Sequence, residues 1–566
     1  MRGAGRLALV AALAAAPFLL LGLGAAPFDD PGEGMHAQIA REVRAAGDPL
    51  ALSLAGVPYV DKPPLLYALI AGAFALAGES EAAARAVPAL AALAAVGATA
   101  WLGARLLGGA WGLLAGGALL TSAGFFAYGR YVRPDALFVA ALAWGFALAL
   151  VGVVEERRGL VVAGLAAFGV AALAKDPLGA IAPPLAIGAA LALAGRARPL
   201  ARWLPPGGVL LAITLAFGWW VVVEARRPGF AWYTVVDNHL LNVARARHFP
   251  DEDVPLGAVQ FLAIAAAGAA PWVVPAAVAV ARLVRRRAWR DPREAPWVAL
   301  GLWAAGVLGL TALSSFRLPH YGLPAYPAIA LLAARAWRDA RGGRLVAGHA
   351  VAFAAIAVAC ALAAAGGDAA FTRHVLAATD VATRKAAEAG QAGALPPWAT
   401  FRTLLATTAL VSAAGAVALA TLRRAPAAPA VVLAAMLGLM PCVGIALAVV
   451  AGHRAADDIG REVGRRAAPG DIVLHEGPLE NSGALEWYSG RRPDIVDGRR
   501  SVLGFGATLP GAGARFWDAE RLRRAWGAER RVWVVTSRAP ERSLAAALPG
   551  ARLVATAGGR WLWVDR

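Results

Sequence analysis

Asp29-Asp30-Pro31-Gly32-Glu33-Gly34-Met35-His36 follows directly on an apolar run at 7–27, and its reading decides the fold. The run, at about 20 residues, is long enough to cross a bilayer as a helix. Arg2 and Arg6 precede it. Its apolar core exceeds the 7–15 residues typical of a signal peptide, so it reads as an uncleaved first helix. The acids therefore stand where the chain leaves the hydrocarbon. An amphipathic stretch at 37–46 comes next, then Tyr59-Val60-Asp61-Lys62-Pro63-Pro64-Leu65-Leu66-Tyr67. Carboxylates, a lysine and tyrosines at one membrane boundary suit a substrate that is half lipid and half polar.

Composition points the same way. The 566 residues are 59% hydrophobic and 16% charged, with a mean hydropathy of +0.58. A soluble chain carries roughly 25% charge, so this is a polytopic membrane protein. The net charge of +18 comes mostly from arginine. In a membrane chain this reads as the positive-inside pattern of short cytoplasmic loops rather than as a nucleic-acid surface. Two cysteines, Cys360 and Cys442, lie inside apolar runs and provide neither a disulfide framework nor a cysteine metal site.

Arginine clusters sort the loops. Arg2/Arg6, Arg105, Arg157-Arg158, 196–202, 282–293, 335–344 and Arg423-Arg424 are assigned to the cytoplasm. Each interval between clusters accommodates one helix out and one back, which predicts about 13 transmembrane helices. The outer segments are then 28–85, 128–135, 174–178, 224–256, 314–322 and 366–400. The apolar stretch 64–78 is short for a crossing and would invert every later loop. It is expected to lie in the interface as a juxtamembrane or re-entrant helix. Residues 1–451 thus form a transmembrane domain whose first outer loop, 28–85, carries the chemistry. Residues 452–566 form an extracytoplasmic domain. Strand-length apolar runs at 471–475, 532–536 and 561–564 alternate with helical patterns at 457–466 and 516–526, which predicts a small soluble α/β domain. His475-Glu476 within it reads as structural.

Every notable polar motif falls on the outer side of this topology. Besides the acidic start there are Gly129-Arg130-Tyr131-Val132-Arg133-Pro134-Asp135, Lys175-Asp176-Pro177, Asp237-Asn238-His239 and Ser314-Ser315-Phe316-Arg317-Leu318-Pro319-His320-Tyr321. Ionisable groups at membrane depth are costly and default to a functional reading. A lipid-phosphate leaving group needs fixed cations, for which Lys62, Arg85, Arg130, Arg133, Arg317 and Lys175 are candidates. An acceptor hydroxyl needs a general base, for which Glu33, Asp30 and Asp135 are candidates. Tyr59, Asp61, Tyr67, His320 and Tyr321 stand in the same motifs as groups for the substrate. No cofactor is required by any motif. A divalent ion held by these acids with His36 or His239 is left open, because no spacing is diagnostic of a metal site.

The ordered series Ile39-Ala40-Arg41-Glu42, Gly47-Asp48, Gly56-Val57-Pro58-Tyr59, Asp61-Lys62-Pro63-Pro64-Leu65-Leu66-Tyr67 and Ala83-Ala84-Arg85-Ala86-Val87-Pro88 resembles bacterial polyprenyl-phosphate glycosyltransferases of the GT-C fold. Within these it is most similar to the lipid A aminoarabinose transferase and protein mannosyltransferase-like family. The likeness continues through 130–135, 175–177 and 314–327, covering about the first 335 residues. It implies an inverting transfer in which an acceptor hydroxyl or phosphate, on lipid A, a glycan or a protein, attacks a sugar carried on undecaprenyl phosphate. It further implies an acid of the first outer loop as base and Lys62 with the arginines on the phosphate. The location implied is the outer face of a bacterial inner membrane. Relatives often read Asp-Glu where this chain has Gly32-Glu33, so Glu33 is the first expectation for the base and Asp30 the second. Relatives also often carry Lys-Gly-Pro at 175–177, and many carry lysine where Arg317 stands. The competing readings are a transporter or flippase for lipid-linked sugars and a non-catalytic binding protein. The chain shows no internal repeat of the kind transporters carry.

Overall fold

The structure, a computed structural model, describes all residues except Met1, Asp30, Pro31, Arg245, 250–255, 341–342, 374–396, 423–426, Arg500 and Val502. Helix α1 (Arg2–Leu20) leads into the acidic turn, the amphipathic helix α2 (Glu33–Ala46), a short hairpin of β1 (Ser53–Leu54) and β2 (Val57–Pro58), and the apolar helix α3 (Leu65–Ala77). The bundle continues with α4 (Glu81–Leu107), α5 (Gly109–Leu120), α6 (Ala123–Gly129), α7 (Asp135–Val154), α8 (Arg158–Ala174), α9 (Leu178–Leu193) and α10 (Pro206–Arg226). Ala258–Gly268, Val273–Arg285, Ala295–Leu313, Tyr326–Arg338, Arg344–Ala365, Trp398–Thr421 and Ala428–Arg454 complete it.

Eight of the described helices are long and apolar enough to cross a membrane, and ten do so if each of two bent pairs is one span. The chain is thus a multi-pass α-helical membrane protein. The difference from about 13 has a local cause. Helix α5 meets α6 at 69°, and Ala258–Gly268 meets Val273–Arg285 at 106° across a break containing Pro271. Helices α8 and α9 are apolar but only 17 and 16 residues long. Tyr326–Arg338 is shortened by the 3₁₀ turn Pro319–Ala325 before it. Helix α3 spans 13 residues, about 20 Å, well short of a 30 Å hydrocarbon layer.

Small residues let these helices approach closely. A Cβ on Gly112 of α5 would come within 2.6 Å of the Ala100 carbonyl of α4. Apolar burial cannot drive association between helices already in lipid, so close backbone contact does.

The C-terminal residues form a six-stranded sheet in the order β5-β4-β3-β6-β8-β7. Its strands are β3 (Ile472–Glu476), β4 (Asp494–Val496), β5 (Phe516–Trp517), β6 (Val532–Thr536), β7 (Arg552–Ala557) and β8 (Arg560–Val564). Strands β3 to β6 are parallel and β8 runs antiparallel to β6. This small α/β unit does not float free. Ile39, Ala40 and Val43 of α2 share one buried core with Leu479, Trp487, Ile495 and Phe516 of the C-terminal unit. Arg41 lies 3.5 Å over the Trp487 ring. The first loop and the C-terminal unit therefore pack into one continuous face.

Candidate functional site

A single cavity of about 2010 Å³ lies between that face and the helices. The turn after α1, the start of α2, the α6–α7 and α8–α9 connections, the helix ends near Trp219 and Leu310, and the loops of the C-terminal sheet all line it. Leu185, Leu302 and Leu310 of its wall are exposed apolar side chains. Both polar and apolar side chains line the cavity.

Three cations stand at the centre. Lys62 pairs with Asp61 at 2.7 Å. Lys175 pairs with Asp135, and Arg133 lies 3.7 Å from the same carboxylate. Tyr233 and Asn238 also donate to Asp61, at 3.4 and 3.2 Å. Burial pushes the Asp61 carboxyl up, but Lys62 and Asn238 bring it below the ordinary range. Burial lowers the Lys175 ammonium against the pull of Asp135, with Arg133 and Lys62 adding like-charge repulsion. His36 is lowered to about 3, first by burial and then by Arg133 and Lys62, so it is neutral. Its Nδ1 pairs with the Tyr67 hydroxyl at 2.9 Å, which donates to Tyr59 at 3.0 Å. His320 sits between the Tyr128 and Tyr321 rings, and burial with Arg133 nearby holds it well below the ordinary histidine range. Three cations around two buried carboxylates, flanked by neutral imidazoles and phenols, leave a centre suited to a further anion.

Other expected residues are employed differently. Arg85 donates to both oxygens of Glu33 and to the carbonyls of Leu23, Ala26 and Pro27. Arg130 donates to the carbonyls of Phe18 and Leu21 at 2.6 and 2.7 Å. Helix α1 ends here, and its last carbonyls, with those of the unwound chain after it, need donors. Arg85 and Arg130 supply them, although both were expected on phosphate. Arg317 donates to the carbonyls of Leu256, Ala312 and Ser314 and does not line the cavity. Tyr67 is also set back from it.

Glu33, the first expectation for the base, is buried. Besides Arg85 it accepts from the Val132 amide at 3.0 Å. Burial pushes its carboxyl up against the pull of Arg85. Its position makes it the post around which the turn is built. Asp30, the second expectation, lies outside the described residues. Glu33 lines the cavity together with Asp29, which the sequence reading quoted but did not select. Asp29 Oδ1 accepts from the Tyr131 hydroxyl at 2.5 Å and from the Glu33 amide at 3.3 Å. Arg454, at the end of the last long helix, lies 4.0 Å from Oδ2. Arg454 was also unselected, and its signal was its place at the boundary of an apolar run.

His239 pairs with the Thr234 carbonyl and, at 3.3 Å, with Asp176. Among the described residues no three His, Cys, Asp or Glu side chains converge on a metal-sized site. The ion left open with His36 or His239 thus has no gathered ligand set.

A family model described as dolichyl-phosphate-mannose-protein mannosyltransferase matches residues 61–221. Undecaprenyl phosphate-alpha-4-amino-4-deoxy-L-arabinose arabinosyl transferase 1 of Pseudomonas fluorescens (strain Pf0-1) is 26% identical over 331 residues, 56% of this chain and 55% of that protein. The alignment thus spans about half the length of that curated relative. Among solved structures, ArnT from Cupriavidus metallidurans bound to undecaprenyl phosphate superposes with a TM-score of 0.78 at 23% identity, over 99% of this chain and 98% of that one. Its apo state gives 0.77 at 22% identity over 99% and 97%. The fold is shared along nearly the whole chain, C-terminal unit included.

Proposed function

We propose that this chain, which has the GT-C fold and resembles the lipid A aminoarabinose transferase and protein mannosyltransferase-like family, is an inverting glycosyltransferase. It transfers a monosaccharide from a polyprenyl (undecaprenyl) phosphate to a hydroxyl or phosphate of a lipid, glycan or protein acceptor. The face that carries α2 and the C-terminal unit is the outer face of the inner membrane. The observation that carries the reading is the cavity in which three buried or half-buried cations, buried acids and exposed leucines meet.

The polyprenyl chain enters past Leu185, Leu302 and Leu310, exposed apolar side chains of the cavity wall. Lys62, Arg133 and Lys175 receive the phosphate, and Asp61 and Asp135 hold them in place. As the sugar–phosphate bond breaks, the phosphate gains negative charge, and fixed cations stabilise it most at that moment. The base is Asp29. Its carboxylate removes the acceptor proton as the acceptor oxygen bonds to the anomeric carbon. Tyr131 holds that carboxylate in the cavity wall. Glu33 and Arg85 form the frame beneath it.

Mass spectrometry of envelope lipids and glycans tests the reading, comparing a strain lacking the gene with strains carrying wild type, Asp29→Asn and Lys62→Ala. A sugar-sized mass on one acceptor is expected with wild type alone. Binding of undecaprenyl phosphate by the purified protein is expected to weaken at least tenfold in Lys62→Ala, since a charge-assisted hydrogen bond contributes about 1.5–3 kcal/mol. Tight lipid binding with no sugar mass in any strain would favour the non-catalytic binder or the flippase instead.

A further inference from the structure

The end of the bundle opposite the cavity carries a cationic turn. The helix Ala295–Leu313 starts there and runs to Leu310 and Ser314, which line the cavity. Its 19 residues span about 28 Å, close to the thickness of a hydrocarbon layer. The turn before it thus stands at the other membrane surface from Lys62 and Asp29. Arg285, Arg286 and Arg287 follow one another at the end of the helix Val273–Arg285, and Arg290 and Arg293 come shortly after. All five are exposed. Half-buried Trp289 packs on the main core from the same turn, and the 3₁₀ turn Ala288–Arg290 rests on α9 as well as on the two helices it joins. Tryptophan and arginine at a helix end mark the level of the lipid headgroups.

None of the five arginines has a carboxylate partner among the described residues. Other arginines of this surface do. Arg105 and Arg157 pair with Glu155, Arg202 with Glu156 at 3.4 Å, and Arg338 with Asp339 at 2.9 Å. The two acids of the turn are engaged elsewhere. Glu294 accepts from Arg335 at 2.6 and 2.8 Å, and Asp291 accepts from the Arg293 amide at 2.9 Å. The dipole of a helix C-terminus accounts for one or two cations, not for five that repel one another. The positive-inside pattern asks only for charge on this side, which the paired arginines also supply. Arg287 has φ +50°, a left-handed backbone ordinarily given to glycine just past a helix end. An arginine stands where glycine would relieve the crowding.

We propose that the turn at 285–293 binds the phosphodiester headgroup of an anionic glycerophospholipid in the leaflet it faces. Its free guanidinium groups supply the forked donors that phosphate oxygens accept. Val284, exposed beside them, offers apolar contact to the acyl chains. A zwitterionic lipid carries the same phosphate, but the remaining arginines repel its cationic group, which sets a preference for the anionic headgroup. The site is separate from the cavity; that its leaflet is the cytoplasmic one rests on the transferase reading.

Native mass spectrometry of the delipidated full-length protein in detergent tests this, with dioleoyl phosphatidylglycerol and dioleoyl phosphatidylcholine as probes. Wild type is expected to bind phosphatidylglycerol at least tenfold more tightly, since each arginine near a membrane surface contributes about fivefold. Arg285→Gln/Arg286→Gln/Arg287→Gln/Arg290→Gln is expected to lose most of that preference. Arg157→Gln/Arg202→Gln, which removes two partnered arginines of the same surface, is expected to keep it, as is Lys62→Ala. An unfolding temperature near that of wild type, and undecaprenyl phosphate binding within twofold, verify the folding of the quadruple variant. Equal binding of the two lipids by wild type would overturn the proposal. So would a preference that the quadruple variant keeps, or one that Arg157→Gln/Arg202→Gln or Lys62→Ala loses. Displacement of phosphatidylglycerol by an equal concentration of glycerol 3-phosphate would overturn the lipid in favour of a free phosphate. Failure of wild type to bind undecaprenyl phosphate would instead count against the transferase reading, with the phosphatidylglycerol result standing.

Discussion

The Tyr131 hydroxyl occupies the space into which a side chain on Gly32 would grow. That phenol comes from the α6–α7 connection and donates to Asp29. With glycine at 32 the tyrosine can reach across to Asp29 at the cavity wall. Gly32→Asp alone is expected to cost about 1–3 kcal/mol by overpacking and to lower transfer at least tenfold. Adding Tyr131→Ala opens the space and is expected to restore stability but not turnover, because Asp29 then loses the hydroxyl that holds it, as read by thermal unfolding and by activity. A Gly32→Asp enzyme of wild-type stability and turnover would show that the tyrosine does not exclude a side chain.

Asp29→Asn keeps the size and one hydrogen bond to Tyr131 but cannot take a proton. A general base contributes roughly 10²–10⁴-fold, so kcat is expected to fall by that much with the donor KM within about twofold. Asp30→Asn provides the comparison. A full-strength Asp29→Asn enzyme beside a dead Asp30→Asn enzyme would move the role one residue along the chain.

Glu33 and Arg85 make a different prediction. Their ion pair is buried, and Arg85 also caps the unwound chain after α1. Removing one partner of a buried pair leaves an uncompensated charge, at a cost of about 3–5 kcal/mol. Glu33→Gln is therefore expected to lower the unfolding temperature sharply, and Glu33→Gln/Arg85→Met to recover part of the loss. A stable but inactive Glu33→Gln protein would return Glu33 to the chemistry.

Periodicity and charge made much of this architecture legible. Apolar runs between arginine clusters located the helices, and alternating short strands located the α/β unit. The breaks were less visible, because a bend at Pro271 or in the 3₁₀ turn before Tyr326 leaves hydropathy unchanged while splitting a span. Lys62, Arg133 and Lys175 stood out as cations in apolar surroundings, and all three line the cavity. Arg85, Arg130 and Arg317 stood out equally, yet they satisfy main-chain carbonyls. Spacing in sequence cannot tell a phosphate from a helix end that needs donors. Asp29 was passed over because its contact with Tyr131 joins residues about a hundred positions apart, and the arginines of the β6 loop because only the sheet order brings them to the cavity.

The contact between α2 and the C-terminal unit titrates. Glu486 is buried against Glu42, with Arg492 and Arg41 as the facing cations and Ser53 donating to Glu42. Burial first, and then Glu42, pushes the Glu486 carboxyl up to about 7. Between its ordinary value near 4.5 and about 7, the folded chain holds a proton that the unfolded chain has released. Stability from this group is thus fully present at low pH and is lost as pH rises through that window. A shift of this size corresponds to about 3 kcal/mol. Glutamine imitates the protonated acid at every pH. Glu486→Gln is therefore expected to match wild type near pH 5 and to exceed it in unfolding temperature by several degrees at pH 8. All other titrating groups are shared by the two proteins, so the difference between their pH profiles isolates this one. A difference that stays constant from pH 5 to 8 would mean that Glu486 is ionised throughout, with Arg492 rather than burial setting its state.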